Sequence, residues 1–147
     1  MRFKSVFALT TLSLLAMQPH SRSWAEAVAP ATPATAAPAA AAVKSLLSKD
    51  LVGVPGKELI MLTVEYIPGG ASLSHRHDAQ VFVYVLEGEV VMQVKGSPVL
   101  HLHPGDTFYE SPTDIHSISA NASQTSPAKI LVFMVKNKGA PATRPAP

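Results

Sequence analysis

The chain has 147 residues, of which 47% are hydrophobic, with twelve Lys/Arg against ten Asp/Glu and no cysteine. This length suits one domain, and the absence of cysteine excludes disulfide support, thiol chemistry and thiolate metal sites. The basic residues form no cluster of the kind that nucleic-acid-binding proteins carry, so we expect no nucleic-acid partner.

The first 25 residues have the features of a secretory signal peptide. A basic start at residues 1–4 precedes a mostly apolar run at 6–17, and Ser23 and Ala25 are small residues at the two positions that a signal peptidase reads. The alternative is a membrane anchor, but crossing a bilayer takes ~20 apolar residues. We therefore predict cleavage after Ala25, a periplasmic or secreted protein, and no membrane association after cleavage.

Cleavage removes Arg2, Lys4 and Arg22 but no acidic residue, which leaves nine basic and ten acidic residues and a formal charge of −1. Residues 26–42 consist almost entirely of Ala, Pro and Thr and have no periodic apolar face, which is typical of an extended linker. Residues 139–147 have the same character and are predicted to form a disordered tail. The folded domain is therefore expected at residues 43–138.

Within this domain, short runs rich in Val, Ile and aromatic residues alternate with Pro/Gly turns, a pattern typical of an all-β sandwich or barrel. Residues 43–51 fit either a short helix or an edge segment and are left unassigned. Strands are predicted at 57–67, 81–86, 90–94, 99–103, 107–110, 116–120 and 130–136.

Both faces of the strand at 81–86 are apolar. One face carries Val81, Val83 and Val85, and the other carries Phe82, Tyr84 and Leu86. Because a sheet face of this composition is stabilised when it is covered, we expect a homodimer, or a terminal segment folded over the outer face.

Three histidines are candidates for a metal site. His75 and His77 stand one residue apart, and on a strand residues i and i+2 point to the same face. His116 follows later in the chain, after the turn at 104–106. Three imidazoles suit Fe, Mn, Ni, Cu or Zn and leave positions open for substrate. The alternative is a metal-free pocket in which hydrogen bonds satisfy the histidines.

The sequence around these histidines resembles the cupin superfamily, in the form of a small single-domain secreted bacterial protein. Residues 69–88 resemble the first cupin motif, in which a Gly precedes a His-x-His pair, a Glu and a Gly, and residues 105–121 resemble the second. The resemblance covers most of residues 57–136 and implies the double-stranded β-helix, a jelly-roll barrel. It places His75, His77 and His116 on the three histidine ligand positions.

The chain departs from the family pattern where a fourth ligand is expected. Val81 stands seven residues before Gly88, where the family has Glu, and Ser111 and Thr113 replace the usual Pro and Gly of the second motif. A carboxylate or amide oxygen from elsewhere would have to substitute.

Gln80 and Glu110 are the two candidates for this replacement. Gln80 lies one residue off register and needs a bulge to turn inward. Glu110 lies six residues before His116 and can act as a ligand, as a hydrogen-bond acceptor for a ligand imidazole, or as a general base. A second His-x-His pair, His101 and His103, is expected at the surface, because Leu100 and Leu102 on the other face are better core candidates.

The resemblance implies one of two functions for this site. The first is an enzyme in which the metal binds a small oxygenated substrate, either a three-His oxygenase acting on an enediol, β-diketone or catechol, or an isomerase that uses the metal as a Lewis acid. Glu110 or Gln80 would then move protons. The alternative is a non-catalytic module that holds a small ligand or a metal.

Overall fold

A computed structural model describes residues 40–146, and these form ten β-strands. The predicted signal peptide and most of the predicted linker lie outside these residues. No helix in the described part of the chain is long and apolar enough to span a membrane. The strands are β1 (Ala41–Asp50), β2 (Lys57–Tyr66), β3 (His75–Arg76), β4 (Ala79–Glu87), β5 (Val90–Val94), β6 (Leu100–Leu102), β7 (Thr107–Glu110), β8 (Ile115–Asn121), β9 (Ala128–Asn137) and β10 (Arg144–Pro145).

The strands form two five-stranded antiparallel sheets that pack as a jelly-roll double-stranded β-helix. The first sheet has the order β1-β2-β9-β4-β7 and the second has the order β10-β3-β8-β5-β6. The all-β fold class predicted from the sequence is therefore confirmed, and each of the seven predicted strands has a counterpart. Burial alternates along β4, as it does in a strand with one face toward the core: Val81, Val83 and Val85 are buried while their neighbours are exposed.

The core lies between the two sheets and is built from their inward-facing apolar side chains. β4 and β9 contribute most of it, because every second residue of both strands faces inward. The other sheet adds Val90, Met92 and Leu102. Leu100 is 43% exposed, so the expectation that both leucines of β6 belong to the core holds only for Leu102.

A steric constraint explains why the first motif ends in a glycine. Gly88 follows β4 with a φ of +71°, and a Cβ there would lie 2.7 Å from the carbonyl oxygen of Pro127. Both the left-handed backbone and the close approach favour glycine. This tight turn fixes where β4 ends and β5 begins.

Both ends of the described chain differ from the sequence expectation. Residues 41–50, partly assigned to the linker, form an edge strand that pairs along β2, which is one of the two alternatives for this segment. Residues 139–146, expected to be a disordered tail, run along the second sheet, where Arg144 pairs with Arg76. Composition alone does not reveal these contacts, because they use backbone groups that every residue has.

The outer face of the first sheet carries a row of apolar side chains. Successive register partners across the five strands are Leu47, Met61, Phe133, Phe82 and Tyr109. Phe82 is 43% exposed and Tyr109 is 49% exposed. Within residues 40–146, no terminal segment covers this row.

Candidate metal centre

The second sheet brings the three predicted histidines together. β3 pairs with β8 so that His75 lies opposite His116, and their ring centroids are 5.1 Å apart. His77 follows one residue after β3, and its ring meets that of His75 at 4.8 Å. His77 and His116 are each 4% exposed, and His75 is half-buried.

A β-bulge aims His116 into the site. In the ladder with β5, Gln93 pairs with Ile118 and Val94 pairs with His116, so Ser117 is the extra residue. A regular ladder would place Ser117 opposite Val94 and turn His116 to the outer face. The hydroxyl of Ser117 donates a hydrogen bond to the Gln93 carbonyl oxygen at 3.1 Å, which stabilises the bulge.

Each imidazole has an acceptor at its Nδ1 atom. Nδ1 of His75 lies 2.7 Å from the Leu73 carbonyl oxygen, and Nδ1 of His77 lies 2.6 Å from the Ala142 carbonyl oxygen. Nδ1 of His116 lies 3.1 Å from Glu110 Oε1. Because carbonyl and carboxylate oxygens only accept, a neutral imidazole at each of these positions carries its proton on Nδ1 and presents the lone pair of Nε2 to the centre. Metal-binding histidines are usually oriented in this way.

The three Nε2 lone pairs face one point. The ligand atoms of His75, His77 and His116 all lie within 4.8 Å of one another, and Nε2 of His75 is 3.1 Å from Nε2 of His77. Nε2 of His116 is buried and has no hydrogen-bond partner among the described residues. A buried orphan acceptor is costly, and a cation at the meeting point would satisfy all three. The residues therefore fit a divalent transition metal, whose identity this donor set leaves open.

Burial also keeps His75 in the form that binds metal. It lowers the pKa of this imidazole, and the neighbouring His77 and His116 act in the same direction. The Leu73 carbonyl oxygen and, more weakly, Glu110 oppose them. A lowered pKa means that His75 is neutral over a wider pH range than a free histidine.

Glu110 is the carboxylate of the site. It is 2% exposed and stands at the end of β7, next to the histidines. Its Oε1 is the acceptor at His116 Nδ1, and its Oε2 lies 3.7 Å from His77 Nε2. Oε2 is buried without a hydrogen-bond partner within residues 40–146. Glu110 therefore orients one imidazole with one oxygen and offers the other to whatever occupies the centre.

The structure contradicts the prediction for Gln80. β4 is regular from Ala79 to Val85, so no bulge turns Gln80 inward, and its side chain is exposed on the outer face beside Val135. His101 and His103 are exposed as predicted, and His101 Nδ1 lies 2.7 Å from a carboxylate oxygen of Glu89.

A pocket of about 570 Å³ opens onto the metal centre. The histidines and Glu110 line one end. Most of the remaining wall is apolar and comes from Leu62, Val64, Val81, Val83, Ile130, Val132 and Met134. Tyr66 and Ser119 add a hydroxyl pair, but their oxygens bond each other at 2.7 Å. The pocket therefore combines a polar, metal-binding end with an apolar body.

Sequence reasoning missed two contributors to this site. Nothing in the sequence marks Ser117 as a bulge, because apolar and polar residues alternate around it as they do in a regular strand. Ala142 contributes a backbone carbonyl oxygen from a segment that composition marks as a tail, and a backbone group leaves no trace in residue type.

Comparison with known proteins agrees with this architecture. The family model described as "Cupin domain" matches residues 62–134. No curated protein shows significant sequence similarity to the chain.

Solved structures share the fold at low identity. The DMSP lyase DddQ from Ruegeria pomeroyi is 22% identical with a TM-score of 0.58, over 72% of this chain and 51% of that one. A recombinant oxalate oxidase in complex with glycolate is 24% identical with a TM-score of 0.57, over 75% and 57%. An uncharacterised protein with a double-stranded β-helix domain from Klebsiella pneumoniae is 21% identical with a TM-score of 0.58, over 76% and 88%.

The chain spans 51% and 57% of the length of the two enzymes, and identities below 25% show the shared fold alone. The family model, the fold and the three-histidine group nevertheless all indicate the same superfamily. The chain belongs to the cupin superfamily as a small single-domain member with a candidate metal centre at His75, His77 and His116.

Proposed function

We propose that this cupin is a metal-dependent enzyme that removes a proton from a small oxygenated substrate. The observation that carries the proposal is Glu110 Oε2, a buried carboxylate oxygen without a partner among residues 40–146, 3.7 Å from a metal-facing imidazole nitrogen. This oxygen lies close enough to the three imidazoles to accept a proton from a substrate held at the centre, which is the role that we propose for it.

In this proposal, His75, His77 and His116 hold a divalent metal through their Nε2 atoms. When bound, such an ion polarises a carbonyl or enol oxygen of the substrate and makes a neighbouring C–H or O–H more acidic. The acceptors at the three Nδ1 atoms keep the imidazoles oriented. Leu73, Ala142 and Glu110 supply these acceptors.

Glu110 acts as the general base. Its Oε2 takes the acidic proton while the electron pair of the broken C–H or O–H bond stays on the substrate as an enolate or phenolate. Its Oε1 remains the acceptor for His116 Nδ1, which fixes the carboxylate while it reacts. Proton return from Glu110 to a different atom gives an isomerase, and reaction of the enolate with O₂ gives an oxygenase.

The pocket indicates the class of substrate. Its apolar wall offers few hydrogen bonds to a polyhydroxylated molecule such as a sugar acid, so burying one there would cost free energy. A β-diketone or a catechol instead combines an apolar body with two adjacent oxygens for the metal end. We therefore favour these two classes over sugar acids.

Deuterium exchange tests the proton transfer directly. The metal-loaded protein is incubated in D₂O with acetylacetone at a pH where spontaneous exchange is slow, and exchange at the central carbon is followed by NMR. We expect the wild type to catalyse exchange. Glu110→Gln should abolish exchange but keep the bound metal, and His75→Ala/His77→Ala should lose both exchange and metal. Equal rates for wild type and Glu110→Gln, with this substrate and with other β-diketones, would contradict the proposal.

An oxygen electrode then separates the two reaction types. O₂ uptake with β-diketones or catechols supports the oxygenase, whereas exchange without O₂ uptake supports the isomerase. The two reactions share the proton transfer, so a negative O₂ result does not affect the role of Glu110.

A non-catalytic binding module is the second candidate. Glu110 is the only carboxylate among the described residues that line the pocket, so the site lacks a second acid for a complete acid–base pair. Tight binding of a β-diketone by the metal-loaded protein, with neither exchange nor O₂ uptake, would favour this candidate.

The proposal includes export of the chain, supported by the signal-like residues 1–25. Mass spectrometry of the protein recovered from a periplasmic fraction would show a chain that begins at Glu26. Recovery of the uncleaved chain from the cytoplasm would contradict it.

A further inference from the structure

Residues 139–146, which we call the C-terminal strap, run beside the candidate metal centre and line part of its pocket. Ala142, Thr143, Arg144 and Pro145 of the strap line the pocket together with the histidines. The segment is rich in Ala and Pro, so its sequence suggests a tail, yet it ends in β10 along the strand that carries His75.

The strap makes a direct contact with a metal-facing histidine. The Ala142 carbonyl oxygen accepts from His77 Nδ1 at 2.6 Å, across 65 residues of sequence. This is the only acceptor that the described structure shows at that nitrogen. Without it, the proton of His77 is free to move to Nε2, and the lone pair then points away from the metal centre.

Several contacts hold the strap in place. At its base, Lys136 Nζ donates to the Ala140 carbonyl oxygen at 2.6 Å, and the Gly139 amide donates to Glu58 at 2.9 Å. At its far end, Arg144 Nε lies 2.8 Å from Asp78 Oδ2, one residue after His77. The strap is therefore clamped on both sides of Ala142.

We propose that the strap is a positioning element of the metal centre: by docking Ala142 on His77, it fixes the tautomer that presents Nε2 to the metal. Metal affinity then depends on strap docking, and strap docking is favoured by bound metal, because the two are linked. The inference rests on the proposed metal site but concerns a different part of the chain, so the two can fail separately.

The first test compares two truncations in the otherwise complete chain. Deleting residues 141–147 removes the Ala142 acceptor and the Arg144 clamp, whereas deleting residues 146–147 keeps both and serves as the matched control. Zn²⁺ affinity is measured by competition with a chromogenic chelator. We expect the larger deletion to weaken Zn²⁺ binding by about 10–100-fold, the usual cost of losing such a supporting contact, and the control to stay within about twofold of the full chain.

The second test changes the ion pair between Arg144 and Asp78, in case the larger deletion prevents folding. Arg144→Ala removes the pairing with Asp78, and we expect Zn²⁺ binding to weaken by at least about threefold. The charge swap Asp78→Arg/Arg144→Asp restores the pair and should recover the wild-type affinity within about twofold. A merely local packing role for Arg144 would not be rescued by the swap.

The third measurement reads the tautomer of His77 in the metal-free protein by long-range ¹H–¹⁵N NMR. We expect the Nδ1-protonated form in the full chain and a mixture of the two tautomers in the larger truncation. Failure of the full chain to bind Zn²⁺ would overturn the metal site, and the NMR result would then judge the strap alone. Unchanged affinity and an unchanged His77 tautomer in a folded larger truncation would overturn the inference.

Discussion

Val81 and Glu110 are register partners across the β4–β7 ladder. Val81 stands where the first cupin motif has a carboxylate ligand, and Glu110 is its neighbour on the adjacent strand, facing the same pocket. Directly opposed residues of an antiparallel pair have Cβ atoms about 5 Å apart. A carboxylate from the adjacent strand therefore stands at the level of the site where the motif has its ligand.

This relationship predicts that the carboxylate can be moved back. Glu110→Val should weaken metal binding by about 10–100-fold, because His116 Nδ1 loses its acceptor and the site loses its negative charge. Val81→Glu/Glu110→Val restores a carboxylate at the same level and should recover most of the charge-dependent part of that loss. Metal affinity of the two variants, measured by chelator competition, checks the prediction.

A suitable control is Val83→Glu/Glu110→Val, which places the new carboxylate two residues further along the same face of β4. If it recovers affinity as well as the Val81 swap does, the register argument is wrong and only net charge matters.

Metal stoichiometry separates the two His-x-His pairs of the chain. We expect one metal ion per chain, lost in His75→Ala/His77→Ala and retained in His101→Ala/His103→Ala. The reason is geometric: the first pair is joined by His116 in a buried cluster, whereas His101 and His103 are exposed at the edge of the second sheet. Elemental analysis of the three proteins, purified without chelator and reconstituted alike, measures this, and a loss of metal in the second double variant would place the ion at the surface.

Sequence alone was sufficient for the all-β fold class and for grouping two of the candidate ligands, because side chains alternate strictly along a strand. It places His75 and His77 on one face, and it excludes Gln80 from the face of Val81 unless a bulge intervenes. His116 was a candidate as a third histidine further along the chain, and only the motif placed it on a ligand position. Strict alternation puts His116 and Ser119 on opposite faces, and the bulge at Ser117 is what turns both inward.

The remaining features depend on long-range contacts that residue type does not encode. Glu110 was recognised as a candidate, but its role required the register of β4 with β7, which brings it opposite Val81. The strap contact of Ala142 with His77 joins residues 65 positions apart through a backbone oxygen. No periodicity or composition signal precedes such a contact.

Glu58 predicts how the fold responds to acid. The ion pair with Lys136 lowers the pKa of this carboxyl from 4.5 to about 2, with help from the Gly139 amide and the Ser48 hydroxyl. A group with a depressed pKa in the folded state stabilises the fold fully above its unfolded pKa and loses that contribution as the pH falls toward the folded value. The wild type should therefore lose part of its stability between about pH 4.5 and 2.

Glu58→Gln should lower stability at pH 7, because Lys136 is left buried without its carboxylate. It should also flatten the dependence of stability on pH in the acid range. Urea unfolding at a series of pH values measures both effects. Glu65→Gln is the matched control: its pairing with Lys129 is more exposed, so the change should be smaller. Parallel acid profiles for wild type and Glu58→Gln would show that the ion pair does not contribute.

The apolar row on the first sheet predicts a homodimer. It runs without interruption across all five strands, and Phe82 and Tyr109, whose ring centroids are 5.3 Å apart, are exposed on the last two of them, β4 and β7. A second copy can present the same row, so the face is self-complementary as a two-fold dimer requires. The nearly neutral formal charge calculated for the cleaved chain offers little repulsion between copies. We expect a dimer by light scattering at micromolar concentration.

Charge on this face should abolish the dimer. Phe82→Lys/Tyr109→Lys places two ammonium groups at the interface of each copy, where burying them without partners is costly, and the variant should be monomeric with an unchanged circular dichroism spectrum. Val52→Lys is the control, because Val52 is fully exposed in the turn between β1 and β2 and is not part of the row, and it should remain dimeric. A wild-type protein that is monomeric throughout the micromolar range would rule out the homodimer and would leave the exposed face to a segment outside residues 40–146 or to another partner.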